Sequence, residues 1–408
     1  MSAPTVRLAD VTTRIGSGIT PRGGSAVYKT SGRPFVRSQN IGWGELRLAD
    51  LAYIDDETHM TFPATEIRTG DVLLNITGAS IGRSAVATSE LRGGNVNQHV
   101  CEIRLMNDVM DPHYLKAVLI SRIGQNQIDT FQAGGNREGL NFQQVGSIRV
   151  PALDIHQQRA IGVAVKDADR MIAVLERMVF KKQAVKQGMM QQLLTGKTHL
   201  PGFAESWSTS LLGTLGTFLK GRGVKREDVR NSGVRCVRYG ELYTVFDEYT
   251  YETISFVSPE VANSALPLKT GDLLFAGSGE TREEIGKCVA YVGPTPAVAG
   301  GDVIVLRGDQ FNPAFLGLLC NTAQVTSQMT RAGQGDAVVH IYSHALSAIE
   351  VTVPSRPEQD AIAKAIVDAN REIKLLRSRL IKARDIRQGM MQELLTGRTR
   401  LPVEESAA

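Results

Sequence analysis

The chain has few cysteines, few aromatics and no long apolar run. Its 408 residues include four cysteines and two tryptophans, and aromatic residues make up only 6%. Cys101, Cys236, Cys288 and Cys320 form no CxxC pair. That spacing offers neither a metal site nor a disulfide framework, and buried free thiols in a reducing compartment are expected. No apolar stretch approaches the ~18 residues that a membrane-spanning helix needs. The opening segment, MSAPTVRLADVTTRIG, lacks the apolar core of a signal peptide, so a cytoplasmic chain is expected. Charge of one sign is also missing. Forty-six Lys and Arg against 42 Asp and Glu leave a net charge of +4, which permits nucleic-acid binding without demanding it. With 42% hydrophobic and 22% charged residues, the composition is that of an ordinary globular protein with room for two domains.

What the chain does contain is a repeat. Gly188-Met-Met-Gln-Gln-Leu-Leu-Thr-Gly-Lys-Thr-His-Leu-Pro201 returns 201 residues later as Gly389-Met-Met-Gln-Glu-Leu-Leu-Thr-Gly-Arg-Thr-Arg-Leu-Pro402, with 11 of 14 positions identical. The same offset joins Thr69-Gly-Asp-Val-Leu-Leu74 to Thr270-Gly-Asp-Leu-Leu-Phe275, and Arg37 to Arg238. It also joins Asp111-Pro-His-Tyr114 to Asn312-Pro-Ala-Phe315. A repeat this long is a duplicated domain rather than a solenoid unit. Two similar modules on one chain suggest a target in two parts.

Each repeat has two unlike parts. The first, residues 1–150 and about 205–353, is rich in Gly and short β-branched runs. Residues 72–76, 100–105 and 303–307 are predicted strands, and helices are predicted from Pro112 to about Ile128 and from Pro313 to about Met329. The second part is a long helix. Val150-Pro151 and Val353-Pro354 end a strand, because proline pushes the preceding residue towards β geometry. Asp154-x-x-Gln157 and Ser355-x-x-Glu358 then supply capping boxes. At the far end Gly196 and Gly397 can take the left-handed C′ conformation, and Pro201 and Pro402 stop continuation. About 40 residues at 1.5 Å each give a rod of roughly 60 Å.

One heptad register runs through both rods. In the first copy the a positions are Ile161, Ala168, Leu175, Lys182 and Met189, and the d positions are Val165, Ile172, Val179, Lys186 and Leu193. In the second they are Ile362, Ala369, Leu376, Ala383 and Met390, with Ile366, Ile373, Leu380, Arg387 and Leu394 at d. Such a stripe needs a partner, and the other copy in the same chain supplies one. Antiparallel pairing sets Lys182 and Lys186 near Asp360, Asp368 and Glu372. The alternative is that each helix packs on its own module. The fold class is therefore α+β: two similar α+β modules separated by two long helices that form an antiparallel coiled coil, with internal pseudo-two-fold symmetry.

An enzyme gains nothing from two modules on a stiff spacer, whereas a reader of bipartite DNA needs them at a fixed distance, on the order of one helical turn. Here the chain resembles the specificity subunits of type I restriction–modification enzymes. The resemblance rests on the two long helices, their Val-Pro…Gln starts (Val150-Pro151…Gln157 and Val353-Pro354…Gln359), their Leu-Leu-Thr-Gly-[Lys/Arg] ends, the Thr-Gly-Asp strands and the repeat itself. It covers essentially the whole chain. It implies an N-terminal target recognition domain over 1–150, a spacer helix over 151–203, a C-terminal recognition domain over 204–353, and a distal helix and tail over 354–408. It further implies double-stranded DNA as ligand and two modification subunits as partners, which carry the adenine methyltransferase chemistry and S-adenosylmethionine. Restriction subunits join them, there is no membrane, and this chain itself has no catalytic residues, metal or cofactor. Met189-Met190 and Met390-Met391 are helical Met pairs of the kind that usually packs in a core, with an adaptable docking surface as the alternative.

Two motifs suggest enzymes instead. Asp111-Pro-His-Tyr114 and Asn312-Pro-Ala-Phe315 are similar to the [Asp/Asn]-Pro-Pro-aromatic loop of amino-methyltransferases, which would make the chain a self-contained adenine methyltransferase. Both lack the second proline and run into an apolar helix, so an N-cap followed by proline at N1 explains them. Residues 279–288 have the wrong glycine spacing for a P-loop, and Cys288 stands where Ser or Thr would hold magnesium. Their Ile-Gly-Lys287 turn matches Ile-Gly-Arg83 in the first half. Candidate DNA contacts follow from residue type and loop position. In the first module they are Arg22, Lys29, Arg37, Ser38, Gln39, Asn40, Arg83, Asn136 and Arg137. In the second they are Arg222, Lys225, Arg226, Arg235, Arg238, Tyr239, Arg282, Lys287 and Arg331. A coiled-coil scaffold with no DNA role is a third reading.

Overall fold

The computed structural model describes residues 4–132, 139–282, 284–335 and 339–402. The chain forms two compact units, one from residues 1–177 with 377–408 and the other from 178–376. Each unit takes a module and a stretch of both long helices, so the units cut across the linear division at the ends of the helices.

In each unit the module opens and closes on the same two-stranded ribbon. Thr5–Arg7 pairs antiparallel with Arg149–Pro151, and Ser208–Leu211 pairs with Glu350–Val353. The proline that ends each ribbon releases the chain into a long helix, Ile155–Leu193 in one case and Arg356–Leu395 in the other. The first module is built on an antiparallel four-stranded sheet in the order Thr12–Ser17, Val100–Leu105, Val72–Asn75, Ser84–Val86, with a three-stranded sheet beside it. The second has a five-stranded and a four-stranded sheet, and its central strands Val303–Arg307, Leu273–Ala276 and Cys288–Tyr291 repeat the first module's order. Strands and short helices contribute comparably to each module, and each carries a short buried helix, Pro112–Ile120 or Pro313–Cys320. No helix of the described residues is long and apolar enough to cross a membrane. All four cysteines are buried thiols. Burial pushes Cys101 up to about 12 and Cys236 up to about 11, which keeps both unreactive.

The Thr-Gly-Asp repeat has a structural cause. Asp71 accepts the Arg68 N–H (2.6 Å) and Asp272 the Lys269 N–H (2.7 Å), so each carboxylate closes the turn before its strand. Each also takes a two-pronged arginine from the neighbouring strand. Arg104 reaches Asp71 at 2.9 and 2.8 Å, and Arg307 reaches Asp272 at 2.8 and 2.7 Å. The geometry is bidentate and largely buried, which makes these pairs stronger than surface bridges. The first module adds Glu102, fully buried beside Arg104 (2.5 Å) and Arg14 (3.5 Å). Burial, helped by the negative charge of Asp71, outweighs both arginines and raises its pKa from 4.5 to about 7. Between those values the unfolded chain has released a proton that the folded chain still holds, so stability falls as pH rises. Glu102→Gln is expected to flatten that part of the profile. Urea midpoints at about pH 5 and about pH 7.5 check this, and equal losses in both proteins would contradict it.

The helices are tied down by a repeated glutamine, Gln158 and Gln359. Gln158 accepts the Asp111 N–H (3.0 Å) and donates to Leu153 O (2.8 Å). Gln359 accepts the Asn312 N–H (2.9 Å) and donates to Pro354 O (3.0 Å). Both amides are buried, so each side chain fastens the start of a long helix to the capped helix of its module. The expected capping box is only half present. Asp154 Oδ1 accepts the His156 N–H (2.7 Å), but Gln157 and Glu358 face elsewhere. Gln157 exchanges hydrogen bonds with the backbone of Leu401 (2.8 and 3.3 Å), and Glu358 meets His199 Nδ1 (2.9 Å). Thus the tail that follows each helix is clamped to the beginning of the other.

Within each unit the two helices run antiparallel. In the first, Glu176 meets Arg384 (2.6 Å) and Asp169 meets Arg387. In the second, Lys182 meets Glu372 (2.8 Å), as the heptad register requires. Asp368 and Asp360 bond instead along their own helix, to Lys364 (2.7 Å) and Arg356 (3.0 Å). The seam positions Ile161, Val165, Val179, Ile362, Ile366, Ile373 and Leu376 are buried, and Ala168, Ile172, Leu175, Ala369 and Leu380 are half-buried. Near their starts the helices also pack on their own modules. Ile161 and Val165 join the core around Tyr114 and Leu115, while Ile362 and Ile366 join that around Phe315 and Leu316.

The repeated Leu-Leu-Thr-Gly segment completes these cores. Met391, Leu394 and Leu395 lie in the first unit's core, and Leu193 and Leu194 in the second's. Gly196 (φ 67°) and Gly397 (φ 71°) turn the chain in the left-handed conformation that only glycine takes without strain. The methionine pairs are therefore largely core. Met391 is buried, and Met189, Met190 and Met390 pack at core edges.

Candidate nucleic-acid interface

Arg37 and Arg238 occupy one architectural position, the N-cap of a short helix after a strand. The repeat of this position serves the turn as much as any ligand. The Arg37 N–H donates to Asn40 Oδ1 (2.9 Å) and the Arg238 N–H to Glu241 Oε2 (3.0 Å). Both side chains are also tied back. Arg37 donates to Asp50 O (2.8 Å) and lies over the Tyr28 ring at 5.3 Å, and Arg238 donates twice to Glu241 Oε1 (3.0 and 2.9 Å). Asn40 is 1% exposed, and its amide donates to Arg47 O (2.9 Å) and Asp50 O (3.3 Å). That burial removes Asn40 from the set of residues able to meet DNA. Arg235 is half-buried, donating to Thr253 O (3.3 Å) over the Phe256 ring (5.6 Å). Tyr239 is half-buried against Tyr243.

The Ile-Gly-basic turn is the same structure in both modules. Gly82 donates to Asn75 O (3.0 Å) and Asn75 to Arg83 O (2.8 Å); Gly286 donates to Ala276 O (2.9 Å) and Ala276 to Lys287 O (3.0 Å). Gly82 (φ 83°) and Gly286 (φ 72°) both need the left-handed region. Arg83 and Lys287 are therefore equivalent, although the loop before Lys287 is longer. Arg83 lines an open cavity of about 430 Å³ together with Ser38, Gln39, Thr77, Ser80 and His99. Its buried Nε has no partner among the described residues. Three candidates, Ser38, Gln39 and Arg83, thus converge on one cavity. Its other walls, Thr77 and His99, were not singled out by residue type and spacing.

The remaining candidates are exposed. Lys29 lies 3.8 Å from Asp55, and the Gln39 amide donates to Asp50. Arg22, Arg222, Lys225, Arg226 and Arg282 lie on exposed turns, and Arg331 on the last turn of Ala323–Ala332. Asn136 and Arg137 lie outside the described residues. A larger cavity of about 680 Å³ in the first unit borders the long helices at Asp169, Ile172, Arg387 and Met391, and contains none of the candidate contacts.

The residues that suggested a methyltransferase loop act as helix caps. Asp111 Oδ1 accepts the Tyr114 N–H and Asn312 Oδ1 the Phe315 N–H, both at 2.9 Å, with proline at N1. Tyr114 and Phe315 are fully buried, and the Tyr114 hydroxyl donates to Pro151 O (2.9 Å), so neither ring can stack on a base.

No protein-family model matches the chain. The MjaVIII type I restriction enzyme specificity subunit of Methanocaldococcus jannaschii is 21% identical over 353 residues, covering 82% of this chain and 80% of that protein. The crystal structure of a type I restriction–modification S subunit from M. genitalium superposes with a TM-score of 0.61 at 13% identity, over 97% of this chain and 96% of that one. Over most of its length the chain is similar to type I specificity subunits. A chain from a structural study of type I restriction–modification complex assembly has the same fold, with a TM-score of 0.53, 17% identity and 98% coverage of both chains. In this specificity-subunit fold the long helices leave apolar side chains uncovered. Met171, Val174 and Ile381 are exposed in the first unit, and Phe180 (74% exposed), Val185 and Leu375 in the second.

Proposed function

We propose that the chain is the non-catalytic DNA specificity subunit of a type I restriction–modification enzyme, each module reading one half of a bipartite duplex target. One observation carries this reading. Two modules of matched topology and divergent sequence carry equivalent basic turns, Arg83 and Lys287, and each module leads into a long helix of the same heptad register. A shared frame with different side chains is what two different half-sites require. The similarity to specificity subunits supports the assignment. Two modification subunits, which bind S-adenosylmethionine and carry the adenine methyltransferase chemistry, dock on the uncovered apolar residues of the helices. Restriction subunits join that assembly in the cytoplasm. The self-contained methyltransferase gains no support from the two capping segments.

The test is DNA binding by the full chain with its modification subunits present. Affinity is expected to fall steeply with salt, by about 0.9 log units per tenfold salt increase for each phosphate neutralised. A salt-independent affinity, or equal affinity for every duplex in a randomised pool, would contradict the assignment.

A further inference from the structure

The two modules share an arrangement that their sequence alignment hides. Thr77 and Ser278, 201 residues apart, sit two residues beyond the ends of equivalent strands. Each bridges antiparallel to a residue 62 positions on, Gly139 in one case and His340 in the other. The backbone frame is common to both. Leu140 donates to Ile76 O (2.8 Å) and Ile341 to Gly277 O (3.0 Å), while Ile76 donates to His99 O (3.0 Å) and Gly277 to Asp302 O (2.7 Å). His99 therefore occupies the place of Asp302, and His340 that of Gly139. Despite coming from different strands, each imidazole reaches the same hydroxyl. Thr77 Oγ1 lies 2.6 Å from His99 Nδ1, and Ser278 Oγ lies 2.9 Å from His340 Nδ1.

A hydroxyl that donates to Nδ1 keeps the imidazole proton on Nε2. In His340 that nitrogen meets no partner among the described residues, and in His99 it lies 3.4 Å from the exposed Gln98 amide, a long contact that a ligand acceptor would replace. Both rings are half-buried. His99 lines the 430 Å³ cavity with Arg83, whose Nε lacks a partner among the described residues. His340 stacks on Tyr342 (6.4 Å), which is 47% exposed and stacks in turn on His344 (5.9 Å). Two unlike sequences that arrive at one hydroxyl–imidazole pair beside equivalent basic turns share a use, and a fixed N–H donor suits the acceptor edge of a purine.

We propose that His99 and His340 are specificity-determining residues, each donating from Nε2 to a purine acceptor in its own half-site, with Thr77 and Ser278 as positioning residues. This rests on the DNA-reading function above. The experiment is selection from randomised duplexes by the full chain with its modification subunits, for wild type, His99→Ala, His340→Ala and Ser278→Ala. Each histidine variant is expected to lose on the order of five- to ten-fold preference at one or two positions of one half-site, with the other half-site unchanged. Ser278→Ala keeps the ring and relaxes the same positions as His340→Ala to a smaller extent. Variants that select the wild-type motif with undiminished preference overturn the proposal and leave the DNA-reading function intact. Uniform weakening at both half-sites also overturns it, because that is the mark of a structural role. A wild type that selects no motif overturns both.

Discussion

Asp169→Ala is expected to destabilise the first unit by about 3 kcal/mol, the scale for breaking a buried ion pair from one side. Asp169 on the central helix accepts from Lys116 Nζ (2.9 Å) on the module and from Arg387 on the distal helix. Lys116 is 3% exposed, so its ammonium has lost its water and depends on this carboxylate. Removing the carboxylate leaves one buried cation unpaired and a second one close by. The other unit supplies the control. At the equivalent places stand Gly317, Asn370 and Lys186. Asn370 donates to the Tyr249 hydroxyl (3.2 Å), and a side chain at Gly317 would meet Glu248 O at 2.6 Å. Asn370→Ala removes one neutral hydrogen bond and is expected to cost about 1 kcal/mol. Urea unfolding of the full chain, followed by hydrogen exchange on Pro112–Ile120 in the first unit and Pro313–Cys320 in the second, separates the two effects. An Asp169→Ala loss no larger than that of Asn370→Ala would show that the trio holds nothing together.

Much of this fold is legible in the sequence because it is stated twice. The heptad stripe, the proline starts and the glycine ends each recur at one offset, and local rules then fix the helices to within a residue or two. What escaped was the destination of the repeated side chains. Met189-Met190 and Met390-Met391 pattern as core or as an adaptable surface, and they pack in or beside cores completed by the Leu-Leu pairs. Sequence period shows that a face is apolar and is silent on which partner covers it. Arg37 and Arg238 stood out for sharing a repeat position, and that position is a helix cap whose side chains are held by Asp50 and Glu241. Asn40 has the right type for reading adenine, but it is spent on turn carbonyls. Thr77 with His99 escaped because the two imidazoles come from different strands, so no offset aligns them. The Arg83 and Lys287 turn was readable because its glycine is demanded by backbone geometry in both copies.

The spacer role makes the other large prediction. Both long helices are unbroken through the residues at which the compact units divide, near 177 and 377. Three heptads added to each helix at those points keep the seam in register and lengthen each by about 32 Å. That is close to one turn of duplex, so a second half-site displaced by one turn lies on the same face of the DNA. The chain with both insertions is expected to select the same two half-sites as the wild type, with the unread gap longer by about nine to ten base pairs. The wild-type duplex should lose at least ~100-fold in affinity, since only one half can be engaged. Selection from randomised duplexes by the two proteins, each with its modification subunits, measures this directly. Unchanged half-sites with the lengthened gap are the predicted result; an enriched motif with the original gap would contradict the account of two readers on a helical spacer.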